Sequence, residues 1–103
     1  MFGLLEKDID YIIQAIKRFD EIDRAIIFGS RAMGNHKKGS DVDIAIVGEK
    51  VSRNSIAKLS ECLNEIYPLP YFFDIVNYNE ISNIELKEHI DTVGIVIGTK
   101  GAG

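Results

Sequence analysis

Seven residues, Asp41 to Val47 (DVDIAIV), constrain the fold of this chain more than any other segment. After the two acids the run is apolar and β-branched, and Gly48 stops it, which marks a strand. A run of the same kind, Arg24 to Gly29 (RAIIFG), comes before it, and Pro70 to Asn77 (PYFFDIVN) comes after, densely apolar except for Asp74. Gly34, Asn35, Gly39 and Ser40 make the segment between the first two runs a turn or loop.

Amphipathic helices flank these strands. Leu5, Ile9, Ile12, Ile13, Ile16 and Phe19 recur at steps of three and four, and Ile56, Leu59, Leu63 and Ile66 repeat the pattern. The second helix is entered through Ser52 or Asn54 as a cap and stops before Pro68. Ser82 and Glu85 have capping-box spacing for a third helix that continues through Leu86 and Ile90 and closes near Gly94. The remaining IVIGTKGAG is a short apolar stretch with a glycine-rich end, expected to be disordered from about residue 99. The order helix, strand, strand, helix, strand, helix predicts an α/β (α+β) fold, a small mixed β-sheet with flanking helices, in one domain spanning 1–103.

Composition narrows the classes. The chain is 46% hydrophobic and 27% charged with two prolines, which fits a globular protein rather than a disordered one. A net charge of −4 argues against direct, nonspecific nucleic-acid binding. One cysteine, Cys62, permits no intrachain disulfide and is expected as a buried small hydrophobe. No apolar run approaches the roughly 18 residues a membrane span needs, and the start lacks the basic residues of a signal peptide, so a cytoplasmic location is expected.

The chemistry sits between Phe28 and Val47. Gly29 and Gly34 have the glycine spacing of a phosphate-binding P-loop, but Asn35 and His36 stand where its lysine and hydroxyl belong. Gly29-Ser30 still suits phosphate: a glycine at a strand end lets the backbone approach an anion, and the next amides with the Ser30 hydroxyl can donate to it. Alone, the pair reads more simply as the end of a strand and a cap. Asp41 and Asp43, two apart on a strand, point to one face. Hard cations such as Mg²⁺ take one or two carboxylates plus substrate phosphates. Asp74 is the third element, a carboxylate in an apolar strand where it is costly unless compensated. Were its strand beside that of Asp41 and Asp43, three acids would converge and favour a bound cation. Gly-Ser followed at this spacing by Asp-x-Asp is expected by chance at roughly 10⁻³ for a chain of this length.

Gly29-Ser30, ten intervening residues, Asp41-Val42-Asp43 and the later Asp74 resemble the active-site pattern of the nucleotidyltransferase superfamily related to DNA polymerase beta. With GSRAMG, SDVDIAIVG, FDIVNY and KEHIDTVGIVI, nearly the whole chain is similar to the minimal, MntA-type nucleotidyltransferases, single-domain antitoxins of prokaryotes. The resemblance implies a two-metal transfer in which Asp41, Asp43 and Asp74 hold two Mg²⁺ and Gly29, Ser30 and Arg31 bind a nucleoside triphosphate, with Asp74 helping the acceptor hydroxyl lose its proton. Arg31 has a rival role as a buttress for Asp41 or Asp43. Lys37 and Lys38 are expected as solvated loop charges, and His36 and His89 as surface residues.

The resemblance also implies a partner, a helical HEPN-type ribonuclease toxin whose tyrosine receives AMP from ATP. Two alternatives remain: an antitoxin that neutralises its partner by contact alone, and a transferase for a small, aminoglycoside-like molecule with a separate substrate-binding subunit.

Overall fold

The computed structural model describes residues 2–99. The three strand runs pair as expected, and a fourth joins them. The elements are α1 (Glu6–Lys17), β1 (Arg24–Phe28), α2 (Gly29–Met33), β2 (Val42–Val47), α3 (Arg53–Glu61), a π-helical turn (Cys62–Ile66), β3 (Phe73–Asn77), a 3₁₀ turn (Tyr78–Glu80), α4 (Ile84–Val93) and β4 (Ile95–Thr99). The sheet runs β3-β2-β1-β4. β1 is antiparallel to β2 and β4, whereas β2 and β3 are parallel, so the sheet is mixed and the α/β expectation holds.

Alternation along the strands explains why their sequences look apolar throughout. Ala25, Ile27, Val42, Ile44, Ile46 and Phe73 face a core shared with Ile12, Ala15 and Ile16 of α1, and with Leu59 and Leu63. Ile26, Phe28 and Ala45 face the other way, toward Ile90 of α4. Both faces are therefore covered, and polar residues survive only at strand ends. Burying each of these aliphatic side chains is worth roughly 1.5–3 kcal/mol.

Several boundaries differ from the sequence expectation. β1 ends at Phe28, because Gly29 takes φ +75° and opens a one-and-a-half-turn helix. β3 starts at Phe73, not Pro70; its pairing with β2 begins where the Val42 N–H donates to the Phe72 carbonyl at 2.9 Å. α4 is capped by Asn83, whose side chain accepts the Leu86 N–H at 3.2 Å, so the Ser82–Glu85 box is displaced by its neighbour. Ser52, one of two candidate caps, does cap α3 by accepting the Ser55 N–H at 3.2 Å. The apolar stretch after Gly94 is β4, paired along β1; the tail beyond Thr99 lies outside the described residues. Cys62 is free and buried, as expected.

A polar clamp fixes the loop that leads into β2. Arg31, only 3% exposed, donates through Nε and Nη2 to the Ser40 carbonyl at 3.1 and 2.8 Å, and through Nη1 to the Phe2 carbonyl at 2.8 Å. Its guanidinium lies 5.1 Å from the centre of the Tyr71 ring. The Tyr71 hydroxyl donates to the buried Asp8 carboxylate at 3.1 Å, which also accepts the Leu5 N–H at the start of α1. Lysine has no planar fork to span two carbonyls and a ring. Arg31→Lys is expected to cost about 1.5–3 kcal/mol in urea unfolding, the worth of hydrogen bonds to a charged group.

Candidate active site

Three strands bring their ends together at one end of the sheet. β1 ends there, and because β2 is antiparallel to it, β2 begins there. Parallel pairing brings the start of β3 to the same end. In the resulting register Phe28 stands opposite Asp43, and Asp43 opposite Asp74. Residues in register on neighbouring strands share a face, at a strand separation of about 4.8 Å. Asp43 and Asp74 therefore stand side by side, on the face of the sheet that carries α4. Asp41 lies just before β2, two residues from Asp43.

Asp43 feels both of the other acids. The Asp43 carboxyl is raised above the usual carboxylate range, first by burial, then by the charges of Asp74 and Asp41. Asp43 is half-buried, whereas Asp41 and Asp74 are exposed. Among the described residues no group of three His, Cys, Asp or Glu side chains is disposed to hold a metal ion alone. Mg²⁺ draws most of its shell from water and substrate phosphates, so one or two protein carboxylates would suffice for it. A dication beside Asp43 would relieve the repulsion that now opposes its ionisation. The donor set fits such an ion.

Gly29 abuts this cluster. A Cβ at position 29 would collide with Asp43 Oδ2, and φ +75° already disfavours any other residue. The Gly-Ser turn is thus wrapped directly over the Asp43 carboxylate. Ser30, half-buried, follows in α2.

Arg31 is placed differently from its expected nucleotide-binding role. Its guanidinium is committed to the Ser40 and Phe2 carbonyls and stacked on Tyr71, so it braces the backbone just before Asp41. Its hydrogen bonds go to backbone carbonyls and not to the carboxylates of Asp41 or Asp43, so it braces the chain before the acids without pairing with them. Lys37 and Lys38 are exposed loop residues.

Both histidines depart from the expected surface role. His36 is half-buried and packs against Gly3, and its Nδ1 is shielded from solvent without a hydrogen-bond partner. His89, on α4, reaches the site: its Nε2 accepts the Gly29 N–H at 3.0 Å, and its ring meets Phe28 edge-on with centroids 6.1 Å apart. Accepting through Nε2 requires the neutral tautomer with its proton on Nδ1. No local spacing marks His89, which lies 60 residues from its partner. Only the tertiary packing of α4 on α2 reveals it.

Two predictions follow from this geometry. Because the folded protein raises the Asp43 carboxyl, it binds a proton there more readily than the unfolded chain does. The associated stability is fully present below the unfolded carboxylate range and is lost as pH rises through the raised value. Without divalent cations Asp43→Asn should therefore melt higher than the wild type near neutral pH, the gap narrowing in acid, as followed by calorimetry across pH. Separately, His89→Ala leaves the Gly29 N–H without its acceptor. It should lower stability by about 1–3 kcal/mol, and His89→Gln, whose amide oxygen can accept, should recover part of the loss in urea unfolding.

The sequence matches the model of the family described as polymerase beta, nucleotidyltransferase, over residues 10–101. No curated protein matches it significantly. Among solved structures it is similar to a chain of a toxin–antitoxin complex with AMP-PNP, at 20% identity and TM-score 0.72, covering 95% of this chain and 76% of that one. It is also similar to a chain of the complex between tri-AMPylated Shewanella oneidensis HEPN toxin and MNT antitoxin, at 18% identity and TM-score 0.70, covering 91% and 71%. A third likeness is to a nucleotidyltransferase structure from Sulfolobus solfataricus, at 17% identity and TM-score 0.51, covering 98% and 95%. At these identities the structures speak for the fold alone, but the family match spans nearly the whole sequence, and the chain belongs to the polymerase beta nucleotidyltransferases.

Proposed function

We propose that this protein transfers AMP from ATP to a hydroxyl of a helical HEPN-type partner protein. The observation that carries the reading is the register that sets Asp74 beside Asp43, directly under the Gly29-Ser30 turn. The structural similarity to chains of toxin–antitoxin complexes, one with AMP-PNP and one with an AMPylated HEPN toxin, supports ATP as donor and such a toxin as acceptor.

In the transfer, the acceptor oxygen forms a bond to the α-phosphorus while the bond from that phosphorus to its bridging oxygen breaks, releasing pyrophosphate. Asp41 and Asp43 would hold two Mg²⁺, with Asp74 completing the set. When bound, the ions neutralise charge on the triphosphate and on the departing pyrophosphate. Asp74, exposed at the sheet edge, takes the acceptor's proton. The Gly-Ser turn approaches the phosphates with backbone rather than side chain. His89 keeps that turn against β1 and Asp43.

The test uses labelled ATP, Mg²⁺ and the product of the neighbouring gene, with an Asp41→Ala/Asp43→Ala double variant alongside. Label is expected on the partner with the wild type and a loss of at least 10³-fold in the variant, the scale of removing a principal electrostatic element. Neutralisation of the partner by the double variant, with no label transferred by either protein, would favour an antitoxin acting by contact.

A further inference from the structure

Asp74 stands on β3, an edge strand with β2 as its one neighbour in the sheet. On such a strand alternate residues turn their N–H and C=O toward open space. Phe72 and Asp74 face β2, since the Phe72 carbonyl accepts from Val42, so Phe73 faces outward. Its outward groups are nevertheless occupied. The Phe73 N–H donates to Asn64 Oδ1 at 2.7 Å, and Asn64 Nδ2 donates to the Phe73 carbonyl at 3.1 Å. Asn64 thus behaves as a one-residue neighbouring strand. Nδ2 also donates to Ser60 Oγ at 3.1 Å, which fixes the amide plane.

The helix is deformed where this contact forms. Asn64 lies in the π-helical turn, closed by the Tyr67 N–H donating to the Cys62 carbonyl at 2.9 Å. A π turn carries one residue more than an α turn and redirects the side chains after it, a distortion common at functional sites. The Phe73 side chain itself is buried beneath α3. The residue before Asp74 is thereby held from the core side and from the open edge.

We propose that Asn64 is a positioning residue for Asp74, its two-point grip on Phe73 holding the start of β3 where Asp74 stands beside Asp43. This rests on Asp74 acting as the third carboxylate of the transferase. The competing role is plain edge protection, which would affect stability and not the chemistry of Asp74 in particular.

A double-mutant cycle separates the two. Asn64→Leu keeps the bulk and removes both hydrogen bonds; Asp74→Asn removes the carboxylate. Positioning predicts that Asn64→Leu lowers kcat by about 10- to 100-fold, the scale of a misplaced catalytic group, while KM for ATP moves less than about threefold. In the Asp74→Asn background it should lower kcat no further. If that background turns over too slowly, the same cycle is read from Mn²⁺ affinity in the presence of a non-hydrolysable ATP analogue. If Asn64→Leu does not fold, Asn64→Asp, which keeps the acceptor for the Phe73 N–H, takes its place. Amide exchange at Phe73 should quicken in Asn64→Leu, which removes the acceptor of the Phe73 N–H. Multiplicative losses, or a wild-type kcat in the Asn64 variants while Asp74→Asn is crippled, would overturn the role of Asn64 and leave the third carboxylate standing. Full activity in Asp74→Asn would overturn both.

Discussion

Parallel pairing of β2 with β3 puts two aspartates in register on strands about 4.8 Å apart, and a third lies two residues away along the chain. Burial first, and the charges of Asp74 and Asp41 after it, raise the Asp43 carboxyl, so the three acids resist joint ionisation. A sequence shaped only for stability would place a polar amide or an apolar residue at 43. The fold thus holds three acids together at one end of the sheet at the expense of the ionised form of Asp43.

The surrounding side chains brace backbone more than they neutralise charge. Arg31 is buried two residues past Gly29, yet it spends its donors on the Ser40 and Phe2 carbonyls. His89 takes the Gly29 N–H, and Asn64 takes both outward groups of Phe73. Apart from Phe2, each of the braced residues is a site position or its immediate neighbour: Ser40 before Asp41, Phe73 before Asp74, and Gly29 itself. Preorganisation of this kind costs nothing at the moment of reaction, because the backbone is already where the chemistry needs it.

How much of this the sequence disclosed follows from the range of the signals involved. β1, β2 and β3 were legible because β-branched runs broken by glycine carry a local signature, and Asp41, Asp43 and Asp74 because carboxylates in such runs are conspicuous. β4 was harder, since Ile95–Thr99 becomes a strand only by pairing with Arg24–Ile27, some seventy residues earlier. Asn83 displaced Ser82 as the α4 cap over a difference of one residue that two nearly equivalent cap formers cannot settle locally. Arg31, His89 and Asn64 were misread or unmarked for one shared reason. Their partners are backbone groups 9 to 60 residues away, and a backbone carbonyl or amide has no identity in the sequence.

Topology supplies the remaining step. The end of β1 and the starts of β2, β3 and β4 all lie at the same end of the sheet, and α4, which delivers His89, leads directly into β4. A change at any of these junctions is therefore transmitted to the acids through a short backbone path. The buried faces are different: Ile44 and Ala45 of β2 point into separate apolar clusters rather than toward the acids. Constraint on the site is concentrated in the small or polar residues that form or hold the strand ends, Gly29, Ser40, Asn64 and His89, and it is there that a conservative-looking substitution is expected to harm the chemistry most.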